Sequence, residues 1–86
     1  MKMHAKTDRP LCVTTTACRG LVAEAELFAD VSVRLYLNCE YVGSAERDGA
    51  GRIENIDEDA AELIDEQALC ELESQLLERH PCQQST

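Results

Sequence analysis

The chain has 86 residues, with 17 Asp/Glu against 8 Lys/Arg and a formal net charge of −9. That length makes one domain, and the acid excess argues against direct binding to nucleic acid or to an anionic membrane, both of which need clustered bases. No apolar run approaches the roughly 18 residues of a membrane span, and the basic N-terminus lacks the apolar segment of a signal peptide, so the expected location is the cytoplasm of a producing or infected cell.

Residues 1–10 and 81–86 are polar and read as tails, leaving a single domain over 11–80. Leu11 to Thr16 is rich in β-branched residues and reads as a short strand. Leu21 to Phe28 supports two readings. Its alternation suits a half-buried strand, whereas Ala-Glu-Ala-Glu-Leu favours a helix. The strand is the better choice, because a clearer strand follows the turn residues Ala29-Asp30. In that strand Val31, Val33, Leu35 and Leu37 point one way and Ser32, Arg34 and Tyr36 the other. Asn38-Cys39 then forms a two-residue hairpin turn into Tyr41–Ser44, since Asn tolerates positive φ. Asp48-Gly49-Ala50-Gly51 marks another turn, and Arg52 to Ile56 supplies a last short strand or lead-in.

From about Asp57 to His80 the chain reads as one long helix. Asn55 or Asp57 can cap it, Asn55 with Glu58 resembles a capping box, and Pro81 stops it. Ala61, Ile64, Ala68, Leu69, Leu72 and Leu76 form one apolar stripe, wide enough to cover a small sheet. Leu63, Cys70 and Leu77, spaced by seven, form a second row pointing nearly the opposite way. Acids fill the gaps: Asp59, Glu62, Glu66 and Glu73 on one flank, Glu71 and Glu78 on the other. Charge is lopsided along the chain, +1 over residues 1–39 and −10 over residues 40–86. Few bases stand at i+4 to offset these acids, so like charges crowd on the helix.

Other chemistry is poorly served. Five cysteines without a secretion signal argue for free thiols. The spacings Cys12-x5-Cys18 and His80-Pro-Cys82, with Cys39, Cys70 and His4 alone, lack the close pairs of a zinc site. A small zinc module or a Cys12–Cys18 disulfide stays an alternative to ordinary thiols. No serine has a neighbouring base in a nucleophile pattern, both histidines fall at the tails, and the Gly-rich turn lacks the Lys-Ser/Thr of a phosphate loop. No catalytic residue, metal ligand or cofactor is assigned.

The short length, hairpin-rich first part and acidic C-terminal helix resemble the small accessory proteins of bacteriophages and mobile elements, among them anti-CRISPR-type and host-takeover inhibitors. Small acidic antitoxins that mask basic toxins share the same physical character. The likeness is one of type, and no functional residue is carried over from it. The expected fold is α+β: an antiparallel sheet of three to four strands over about 11–56, covered by one helix over about 57–80. The expected function is that of a non-enzymatic protein-binding protein. It would act as an inhibitor docking on a basic surface of another protein, as a nucleic-acid mimic does, through Asp59, Glu62, Glu66 and Glu73. The alternative is a homodimeric structural or adaptor module joined along Leu63, Cys70 and Leu77.

Overall fold

The computed structural model describes residues 9–81. The expected tails over 1–8 and 82–86, with His4 and Cys82, lie outside the described residues. Five strands follow in chain order: β1 (Cys12–Cys18), β2 (Leu21–Leu27), β3 (Ser32–Leu37), β4 (Glu40–Arg47) and β5 (Ile53–Glu54). They form an antiparallel meander in which each strand pairs with its neighbours in sequence. The expected α+β architecture is therefore present, with one strand more than the three to four anticipated. The extra one is the two-residue β5.

Local chemistry explains the hairpins. Arg19-Gly20 and Asn38-Cys39 have φ of 53° and 82°, and of 55° and 72°. Positive φ at both central residues suits a two-residue loop whose twist matches the strands it joins. Asp30 closes the β2–β3 turn by accepting from the Ser32 N–H at 3.0 Å and its hydroxyl at 2.6 Å. Val31 departs from its expected place in the inward row of β3. It belongs to this turn, with φ of 63°, and is exposed. A register shift opposite Leu35/Tyr36 places one extra β4 residue, Val42, in a bulge between Tyr41 and Gly43.

Period-two alternation buries Ala23, Ala25 and Leu27 of β2, Val33 and Leu35 of β3, and Ala45 of β4. The small Ala23 and Ala25 of β2 and Ala45 of β4, on either side of the central β3, leave room for helices to approach closely. The C-terminal segment covers this face, but as two helices: α1 (Glu58–Leu63) and α2 (Glu66–Arg79). The expected single helix breaks at Ile64, which is extended (φ −108°, ψ 116°), and Asp65 caps the second helix by accepting from the Ala68 N–H at 2.9 Å. Ile64 before that cap and Leu69 four residues after it stand where a hydrophobic staple places its two residues. The break resets the helical phase. Ala60 is buried in place of Ala61, while Ile64, Ala68, Leu72 and Leu76 fill the core as the stripe implied.

The expected capping box at Asn55 does not form. Asn55 has φ of 52°, and its side-chain amide donates to Glu46. Asp57 precedes α1 but makes no side-chain cap bond. Its backbone N–H donates to the Ser44 carbonyl and its carboxylate accepts from the Ser44 N–H, both at 2.9 Å. One residue thus imitates a strand and closes part of the β4 edge. α2 packs along β1 and β2 and, through Glu73, reaches β5, so the sheet curls around the helix.

Candidate protein-docking surface

The outer faces of α1 and α2 carry the acids singled out from the sequence. Asp59 and Glu62 stand exposed on α1, and Glu66 stands exposed in the first turn of α2 with Glu71 and Glu78 further along. Glu73 differs from its flank. It is half-buried, and its carboxylate accepts the β5 backbone N–H of Ile53 at 2.9 Å. It fastens the last strand to the helix and is a structural group first.

Compensating charge is sparse. Among the described residues the ion pair within 4 Å joins Arg19 of the β1–β2 turn to Asp65, at 3.7 Å. Arg79, at the end of α2, is turned to β1 and donates to the Val13 carbonyl at 3.3 Å. The exposed acids between Asp59 and Glu78 keep their mutual repulsion, a few tenths of a kcal/mol per close pair.

The second apolar row is corrected by the break. The seven-residue step from Leu63 to Cys70 crosses Ile64–Asp65, so Leu63 lies on α1 and only Cys70 and Leu77 share a face of α2. All three are exposed, Leu63 at 44 % and Leu77 at 41 %. Leu77 lines a shallow depression of about 370 Å3 with Ser74 and Glu78, an apolar contact set among acids.

The cysteines do not converge. Cys12 and Cys18 both stand on β1, six residues apart, a separation of about 20 Å at strand rise, far beyond disulfide reach. Cys18 is buried, whereas Cys39 sits on a turn and Cys70 on the outer side of α2. No group of three or more His, Cys, Asp or Glu among the described residues could hold a metal ion. His80, where the helix was expected to end, is the C-cap of α2, and its carbonyl accepts from buried Arg47 at 2.6 Å.

The open face of the sheet gathers residues that the sequence did not mark. Tyr36 and Tyr41 meet edge-on, with ring centroids 5.7 Å apart. The Tyr36 hydroxyl donates to Glu26 at 3.0 Å, and the Tyr41 and Ser44 hydroxyls share a 2.6 Å bond. Arg34 lies over the Phe28 ring, 4.8 Å from its centroid. Partial burial, followed by the bond to the Glu26 carboxylate, pushes the Tyr36 hydroxyl above its ordinary range. With Arg34 and Ser44 the tyrosines line a depression of about 480 Å3. The alternation of β3 put Arg34 and Tyr36 outward, but the bulge that brings Tyr41 beside them leaves no mark in the sequence.

No protein-family model matches the chain, nor does any curated protein or solved structure. None of the described helices is long and apolar enough to cross a membrane.

Proposed function

We propose that this chain is a non-enzymatic protein-binding protein, an inhibitor in character, that presents its α1/α2 surface to a basic surface of another protein. The observation that carries the reading is the set of exposed carboxylates at Asp59, Glu62 and Glu66, with Glu71 and Glu78 on the other flank of α2, none of them in an ion pair among the described residues. Leaving like charges together costs the free protein stability, and approach of Lys and Arg from a partner relieves that cost. Such complementarity acts mainly on association rate and on the choice of partner. Leu63 and Leu77 supply apolar contacts within the acid field. Carboxylates spaced along a helix can also stand in for phosphates, which fits a mimic of nucleic acid on a basic groove. This is the physical content of the resemblance to phage-type inhibitors.

The test is a pull-down from the producing cells at low and high salt, followed by binding kinetics on the captured protein. Reversing Asp59, Glu62 and Glu66 to Lys together should slow association on the order of tenfold or more at low ionic strength, with the difference shrinking as salt is added. Glu73 is left intact because its loss would detach β5. Binding that ignores both salt and charge reversal would sink the reading.

A further inference from the structure

The outer edge of β1 has no strand beside it among the described residues, since β1 pairs only with β2. The two-residue turn makes Cys18 and Leu21 the closing hydrogen-bonded pair, and alternation along the ladder assigns Thr16, Thr14 and Cys12 to β2 as well. The N–H and C=O groups of Val13, Thr15 and Ala17 therefore point away from the sheet. The Arg79 bond to the Val13 carbonyl lies on that side, as this register requires. The remaining outward groups have no partner among the described residues.

Exposed edges are normally kept short or guarded by charges, proline or a bulge. β1 has seven residues, Cys-Val-Thr-Thr-Thr-Ala-Cys, with no charge, no proline and an unbroken register. Leu11 and Val13 beside it are exposed, as are Leu21 and Val22 of the adjoining strand.

We propose that this edge pairs with the same edge of a second copy of the chain, antiparallel about a two-fold axis at Thr15, so that the two sheets become one. In that register Thr15 faces Thr15 of the partner subunit and Val13 faces Ala17 of the partner subunit. Each outward N–H then meets an outward carbonyl, as a self-complementary two-fold contact requires. Charge selects the same occupant. Leu11 to Cys18 is free of charge, so two chains of −9 each meet there without apposing acids, which the helix surface does not permit. α2 runs antiparallel to β1: Arg79 reaches Val13 at one end, and the Cys18 thiol lies 3.9 Å from the Leu63 carbonyl at the other. The two-fold therefore turns Arg79 of each subunit toward the first half of its partner's α2, the half that carries Glu71. The proposal does not rest on the function above, and it leaves Asp59, Glu62 and Glu66 exposed.

Sedimentation of the full chain at high micromolar concentration tests it. The wild type should run at twice the 9.5 kDa chain mass. Thr15→Pro removes the central outward N–H but no bond to β2, and should halve the mass with an unchanged circular dichroism spectrum. If that variant does not fold, Thr15→Lys, which sets like charges opposite each other at the axis, should do the same. Leu77→Glu should stay dimeric. A monomeric wild type would overturn the proposal, whether a heterologous partner or residues 1–8 cover the edge. A folded Thr15 variant that remains dimeric, or a dimer abolished by Leu77→Glu, would overturn it as well.

Discussion

At Gly43 a methyl group would stand 2.8 Å from the Ala60 Cβ and 3.0 Å from the Asp57 Cβ. Both neighbours are fixed, Ala60 in the core and Asp57 by its paired bonds to Ser44. Gly43→Ala should therefore cost about 1–3 kcal/mol by forcing α1 off the sheet, read as a lower denaturant midpoint with the slope kept. Val31 presents the opposite case. A β-branched residue at φ of 63° stores strain, and an exposed side chain gains little from burial. Val31→Gly should raise stability by about 0.5–1 kcal/mol, the relief of strain exceeding the added flexibility of the unfolded chain. A thermal melt of that one variant decides the sign. Neither position was legible in the sequence. Gly43 needed the bulge and the approach of α1, and Val31 read as one more member of an inward row.

Among the elements, the turns depend on ionised aspartates. Hydrogen bonds from the Ser32 hydroxyl and N–H hold the Asp30 carboxyl below its ordinary range, and the Arg52 N–H, then those of Ala50 and Gly51, do the same for Asp48. A carboxyl lowered in the folded state stabilises above its unfolded value, near pH 4, and that contribution is lost as pH falls through the folded value. Amide exchange at Ser32, Ala50 and Arg52 should accelerate in that acid window while the core amides of β2 and β3 stay protected. Asp30→Asn should remove the acid response at Ser32 alone. Three of the turns were readable, because Asp30, Asn38, and Asp48 with Gly49 and Gly51 are residues that turns favour, whereas the Arg19-Gly20 turn was not read. The helix break was written in Ile64-Asp65 and Leu69 but was masked by an apolar period that runs through it. In the structure the six residues of α1 bury Ala60, out of phase with the Ala68, Leu72 and Leu76 stripe of the fourteen-residue α2.

For the molecule as a whole, net charge opposes compaction. Seventeen acids with one ion pair among the described residues repel one another in the folded state more than in the expanded chain. Added salt should therefore stabilise the fold, and recovery of about 1 kcal/mol by screening would raise the melting temperature by about 4–8 °C in a domain of this size. A melting temperature that falls with salt would mean that ion pairs, not repulsion, dominate the surface. The sequence by itself determined the fold class, the alternation of β2 and β3, the turns after β2, β3 and β4, and the placement of negative charge on the C-terminal segment, because these depend on residue type and spacing along a few neighbours. Only the tertiary structure decided which carboxylates are available. It set Glu73 against Ile53, Asp57 against Ser44 and Asp65 over Ala68, leaving Asp59, Glu62 and Glu66 to solvent. It also decided that, among the described residues, no strand pairs with the outer edge of β1, and that Leu63 does not share a helix with Leu77. The reason is the same in each case. A side chain's or strand edge's role is fixed by the backbone group that faces it, and that group comes from a distant part of the chain.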